Sequence, residues 1–204
     1  TRPFIHAGLV NSLTQTVIKL MAPGVPDIYQ GSETLDLSLV DPDNRREPNF
    51  DELSEWLTSA EKAGGEDKAA WYNGSFKQQI IARLLHLRQT EAELFQDGDY
   101  VALQPSAENG NRLIAFARVH DDEAVIVVLP RLSLRDNPDL TLPPSLQHAA
   151  SDIVVPDLLK NRAYQNIWTG ETVEVEQMLN VGFQNEAPFI VLHSTGIRHS
   201  PGTR

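Results

Sequence analysis

Pro23-Gly24-Val25-Pro26-Asp27-Ile28-Tyr29-Gln30-Gly31-Ser32-Glu33 is the stretch on which the reading of the fold turns. Upstream of it, apolar residues recur at Leu13, Val17, Leu20 and Met21. Those spacings lay one stripe along a helix and predict a helix over residues 11–22. Pro23 and Gly24 stop that helix. Val25 to Tyr29 is rich in strand formers and predicts a short strand that closes at Gln30-Gly31. A helix followed at once by a short strand reads as an α/β unit whose sheet lies mostly outside the 204 residues.

Working outward, residues 32–50 show no period and contain two prolines and the cluster Asp41-Pro42-Asp43-Asn44-Arg45-Arg46. The expectation is a long ordered loop, and loops of that length in compact domains are usually functional or disordered. Leu53, Trp56, Leu57 and Ala60 predict a helix over 50–62, followed by a surface turn at Gly64-Gly65. Residues 75–90 form the strongest helical pattern, with Phe76, Ile80, Ile81, Leu84, Leu85 and Leu87 on a wide apolar face. Ser75 with Gln78 three residues on matches a capping box.

From Tyr100 the period changes. Residues 112–119 and 124–129 are β-rich and joined by the polar His120-Asp121-Asp122-Glu123, which predicts a hairpin. Further strands are expected over 164–168, 172–175 and 188–193, with a proline-rich loop over 136–145. Short strands separated by Gly, Pro and Asn turns suggest a small antiparallel β-sandwich. A domain boundary is expected near residue 98, dividing the chain into 1–98 and 99–204.

The formal net charge of −11, from 17 basic and 28 acidic residues, repels phosphate backbones, and no basic stripe with interleaved aromatics offsets it. Nucleic acid is therefore not an expected partner. The absence of cysteine excludes disulfides, thiolate metal sites and a Cys nucleophile. No apolar run approaches a membrane span and no signal peptide leads the chain, so no membrane partner and a cytoplasmic location are expected. The chain opens at Thr1 and its first methionine is Met21, which is the pattern of a fragment.

The quoted stretch is similar to the segment of the α-amylase superfamily in which the seventh helix of a (β/α)8 barrel runs into the eighth strand. Asp41 to Arg46 resembles a segment that commonly follows it. Arg83-Leu84-Leu85-His86-Leu87-Arg88 resembles the end of the last barrel helix, and Leu113-Ile114-Ala115-Phe116-Ala117-Arg118 an early strand of the all-β domain beyond. Asn11-Ser12-Leu13-Thr14-Gln15, the run from Asp36 to Arg46, Gly74-Ser75-Phe76-Lys77, Pro130-Arg131-Leu132 and Trp168-Thr169-Gly170 resemble the maltooligosyltrehalose synthase branch. One departure is Arg46-Glu47-Pro48, where a proline usually follows the arginine pair directly.

The resemblance implies an α/β plus β architecture: helix 7, strand 8 and helix 8 of the barrel, then a small β-sandwich. It implies a maltooligosaccharide substrate and an isomerase that converts a reducing-end α-1,4 bond to an α,α-1,1 bond, the chemistry of trehalose biosynthesis. A carboxylate nucleophile and a carboxyl acid about 5–5.5 Å apart carry such retaining chemistry. In the family these groups lie on earlier barrel strands, so no catalytic residue is assigned here, and the missing N-terminal barrel is an expected partner.

Substrate-facing candidates are Asp41 and Arg45, which can hydrogen-bond sugar hydroxyls or equally brace their own loop as an ion pair. Tyr29, Gln30 and Glu33 follow, placed at the end of a barrel strand where such active sites open. Lys77, near its helix start, either reaches substrate or is solvated. No cofactor and no metal site are expected. Asp41, Asp43 and Glu52 mimic a calcium loop, but Arg45 and Arg46 occupy positions that the loop forbids, and the six histidines show no paired ligand spacing. Two rival readings are the same region of another superfamily hydrolase and a non-catalytic carbohydrate-binding β-module.

Overall fold

Residues 123–130 read Glu-Ala-Val-Ile-Val-Val-Leu-Pro, and every residue from Ala124 onward is buried. A strand buried on both faces needs a continuous apolar run, and this one divides its side chains between two cores. Val125, Val127 and Leu129 face a core shared with helices, while Ala124, Ile126 and Val128 face a second core shared with other strands. The period-two pleat alone produces that division.

The computed structural model describes residues 2–37, 47–59, 65–105, 110–136, 151–183 and 187–198. Five helices come first: α1 (Arg2–Met21), α2 (Phe50–Ser59), α3 (Lys68–Asn73), α4 (Ser75–Thr90) and α5 (Ala92–Gln96). Strands β1 (Asp99–Ala102), β2 (Gln104–Pro105), β3 (Leu113–His120) and β4 (Glu123–Pro130) follow, then the short α6 (Ser133–Asp136). The chain ends with β5 (Ser151–Val154), β6 (Arg162–Asn166), β7 (Thr172–Val175), β8 (Met178–Val181) and β9 (Ile190–Arg198).

The strands form two antiparallel sheets. One has six strands in the order β1-β3-β4-β9-β6-β7, and the other has three in the order β2-β5-β8. The expected hairpin is β3–β4, with His120 opposite Glu123 and the turn at Asp121-Asp122. The chain passes from the first sheet to the second at the buried Leu103, between β1 and β2. Ile153, Leu179 and Val181 of the smaller sheet meet Ala115, Ala117 and Ile126 of the larger in one cluster.

The other face of the six-stranded sheet is covered by helices. Val10, Leu13, Val17, Leu20 and Met21 of α1 and Phe76, Ile80, Ile81 and Leu84 of α4 join Phe116, Val125, Val127, Leu129 and Val191 in a single cluster. An aromatic chain fixes α4 to the sheet: Phe76 lies 4.9 Å from Trp71 and 5.2 Å from Trp168, and Trp168 lies 5.7 Å from Phe189. The two Trp168 contacts are edge-to-face, an arrangement that adds to the area they bury. The Arg83 guanidinium sits 4.1 Å above Trp168 and donates to its carbonyl at 3.2 Å. Trp168 is thus a packing residue, and its strand ends at Asn166 rather than at residue 168 as expected.

Three expectations are corrected. The strand predicted over residues 25–29 is not formed; the segment is irregular, and Val25 is 97% exposed. A strand needs a neighbour to satisfy its backbone, and none of the described strands pairs with it. The capping box at Ser75 is absent: Gly74 caps α4, the Ser75 N–H donates to Asn73, and the Gln78 amide donates to the Leu53 carbonyl. The first helix begins at Arg2, well before residue 11. The expected loop over 136–145 lies outside the described residues except at Asp136.

The two-core arrangement predicts that Ile126→Ala, which empties space on the second core, lowers stability by about 2–5 kcal/mol, read as a reduced urea midpoint with unchanged slope. The same core holds Tyr164, whose hydroxyl donates to the Leu159 carbonyl at 2.9 Å. Burial pushes its ionisation up to about 12. Because the folded state favours the neutral phenol, this contribution is complete below the ordinary tyrosine range near 10 and is lost as pH rises from there toward 12. Absorbance titration is expected to show one late-ionising tyrosine, removed by Tyr164→Phe; a late phase surviving in that variant would refute the assignment.

Candidate functional site

Among the described residues no strand pairs with the segment after α1, and side chains from α4 hold it instead. Arg88 donates from Nη1 to the Leu20 carbonyl at 2.7 Å and from Nη2 to the Gly24 carbonyl at 3.0 Å. One fork thereby donates to both the free end of α1 and the Pro-Gly turn beyond it, and hydrogen bonds from a charged donor are the stronger kind. The same guanidinium lies 4.7 Å from the Phe95 ring centre, which braces it from behind.

Lys77, in the first turn of α4, forms the second clamp. Its Nζ donates to the carbonyls of Ser32 and Thr34, each at 2.8 Å. Burial and then the nearby Lys19 hold its ionisation below the ordinary lysine value, while Asp36 and Glu33 oppose them. The ammonium expected to reach substrate or solvent is therefore committed to backbone oxygens.

Glycine makes the close approach possible at two places. Gly74 has φ of 84°, and a Cβ there would stand 2.5 Å from the Leu35 nitrogen. Gly31 has φ of 83° and packs against the Pro48 ring. Both are left-handed positions that glycine alone adopts without strain. Between them the Ser32 N–H and hydroxyl both donate to the Tyr29 carbonyl, at 2.9 and 2.6 Å, which closes a tight turn.

The candidate residues fall as follows. Tyr29 is half exposed and Gln30 is exposed, both on the outer side of this turn. Glu33 is partly buried, with Oε2 enclosed and lacking a hydrogen bond, close enough to act on the Lys77 charge. Asp41 and Arg45 lie outside the described residues. The structure thus brings Glu33 and Lys77 together and sets Tyr29 and Gln30 beside them. Sequence reasoning missed Arg88, Asn73 and Gly74 as positioning residues; the left-handed demand on a glycine just before a strong helix is the signal that marks Gly74.

No family model matches the chain. A putative maltooligosyl trehalose synthase of Mycobacterium tuberculosis H37Rv is 32% identical over 125 residues, which are 61% of this chain and 14% of that protein. The structure of maltooligosyltrehalose synthase from Arthrobacter ramosus superposes with a TM-score of 0.69 at 28% identity, over 92% of this chain and 22% of that one. The chain is similar to part of a maltooligosyltrehalose synthase. An α-amylase from Anoxybacillus, at 18% identity and a TM-score of 0.57, shares the fold alone. The chain therefore spans about a fifth or less of the length of these synthases. Among the described residues no helix is long and apolar enough to cross a membrane.

In this synthase-like segment the clamps yield a direct test. Lys77→Met removes two charge-assisted hydrogen bonds and is expected to cost about 1–3 kcal/mol. Gly74→Ala forces a strained φ and a backbone clash, with a cost of about 1–3 kcal/mol or more. Both are expected to speed amide exchange across residues 30–37 more than within α1. Exchange unchanged there in Lys77→Met would show that the ammonium does not hold the loop.

Proposed function

We propose that the chain is the C-terminal portion of a maltooligosyltrehalose synthase, with residues 1–98 ending a (β/α)8 barrel and 99–204 forming an all-β sandwich domain. The observation that carries the reading is the clamped turn at residues 29–37. Lys77 and Gly74 hold this irregular turn, and Arg88 holds the chain just before it at Leu20 and Gly24, in the part of the chain similar to the synthases. Fixing a loop from beneath leaves its outer side chains free to meet a ligand, and loops on rigid scaffolds are where binding groups concentrate.

In this reading Tyr29, Gln30 and Glu33, with Asp41 and Arg45 further along, rim a cleft for a maltooligosaccharide. The two reacting carboxyl groups come from the barrel upstream of these residues, so the 204 residues alone are inactive. The chain's own contribution is to orient the sugar's hydroxyls and to exclude water, since hydrolysis competes with closing the α,α-1,1 bond. Large apolar side chains that stand exposed in the first half, among them Phe4, Val25 and Leu37, suit a region that packs against further structure. The compartment proposed is the cytoplasm.

The test uses maltopentaose and two proteins: the chain alone, and the chain continuous with its preceding coding sequence. The longer protein is expected to convert the sugar to a non-reducing isomer and the chain alone to leave it intact. Net release of reducing sugar by the longer protein would point to a hydrolase instead. Turnover by the isolated chain would overturn the assignment of the carboxylates to an upstream part.

A further inference from the structure

Glu91, Glu123 and His193 lie far apart in the sequence and meet at one point of the fold. Glu91 stands between α4 and α5, Glu123 opens β4, and His193 lies in β9. Each offers one ligand atom, and those atoms lie within 4.8 Å of one another. The His193 Nε2 is 3.6 Å from a Glu91 oxygen and 3.5 Å from a Glu123 oxygen.

These separations bear on two explanations, an ion pair and an ion-binding site. An imidazolium bridging two carboxylates would close to about 2.7–2.9 Å, the range of charge-assisted hydrogen bonds. Here Nε2 is enclosed by protein and makes no hydrogen bond, although it is aimed at both carboxylates. Tetrahedral ligands on a zinc ion, with bonds of about 2.0–2.2 Å, stand roughly 3.3–3.5 Å from each other. The two His193 separations fall at about the edge length of such a polyhedron, and all three ligand atoms lie within 4.8 Å of one another.

The surroundings fit the same reading. The Ser194 hydroxyl accepts the Ala124 N–H at 2.8 Å and donates to Glu123 Oε2 at 3.2 Å, so the carboxylate is oriented by a neighbour of its own. Ligating carboxylates are ordinarily held in this manner. The Glu91 backbone is fixed by its N–H donating to the Leu87 carbonyl at 2.9 Å. A cavity lined by Thr90, Glu91, Glu93, His120 and Glu123 opens beside the cluster and gives access for an ion and for water as a fourth ligand. Two carboxylates and a neutral imidazole also balance a divalent charge.

We propose that Glu91, Glu123 and His193 form a binding site for a divalent first-row transition ion, with zinc the best match. The imidazole favours such an ion over calcium or magnesium, which take oxygen ligands. Because the three residues come from the helical layer and from two strands of the large sheet, a bound ion staples the two layers together.

The experiment is zinc titration of the chain by calorimetry, with thermal unfolding alongside. The chain is expected to bind one zinc at this site and to melt at a higher temperature. His193→Gln and Glu123→Gln are each expected to weaken binding by about tenfold or more, the scale on which even indirect ligand partners act. His86→Gln, on the exposed side of α4, is the control and is expected to leave binding unchanged. Since β-strand variants can fail to fold, Glu91→Gln at the helix junction and the visible spectrum of the cobalt-loaded wild type give independent readouts. Failure of zinc to bind, or undiminished affinity in Glu91→Gln, His193→Gln and Glu123→Gln together, would overturn the site.

Discussion

Strand β4 is the constraint from which the rest of the structure follows. Its residues from Ala124 to Pro130 are buried, so structure must cover both faces of the sheet at once. Helices α1 and α4 cover one face, and the three-stranded sheet with the loops around it covers the other. Neither layer is optional, because an uncovered row of Val125, Val127 and Leu129, or of Ala124, Ile126 and Val128, would leave a broad apolar patch in water.

Helix α4 inherits two tasks from that arrangement. Its apolar side packs on the sheet through Phe76, Ile80 and Leu84, and its polar ends hold the chain that leaves α1. Lys77 and Arg88 sit near opposite ends of the helix and both donate to main-chain carbonyls rather than to carboxylates. A carbonyl is a fixed point on the backbone, so each bond restrains the path of the chain and not merely one side chain. The turn at residues 29–37 is thereby tied to the same helix that seals the core, which couples the geometry of the turn to the integrity of the fold.

Much of this was legible beforehand. The α4 pattern of Phe76, Ile80, Ile81 and Leu84 gave residues 75–90 without error at either end, and the β3–β4 hairpin followed from two apolar runs around Asp121-Asp122. What failed, failed for non-local reasons. Val25 to Tyr29 has strand-forming composition but no pairing strand among the described residues. Ser75 and Gln78 have capping-box spacing, yet Gln78 turns to the Leu53 carbonyl and Gly74 takes the cap because its left-handed φ brings it against Thr34 and Leu35. Strands β1, β2, β5 and β8 are short or half exposed, so their periods carried little signal.

The amino-acid order by itself determined the local periods: where a helix stripe runs, where alternation sends side chains to opposite faces, and where Pro23-Gly24 ends a helix. It also carried the motif similarity that points toward trehalose-forming enzymes. Only the tertiary structure decided which distant groups share a space, as with Lys77 and the carbonyls of Ser32 and Thr34, or Glu91, Glu123 and His193. The physical reason is range. Periodicity and capping act over a few residues along the chain, whereas a hydrogen-bond clamp or a ligand cluster depends on distances of a few ångströms that only the packing of whole layers sets.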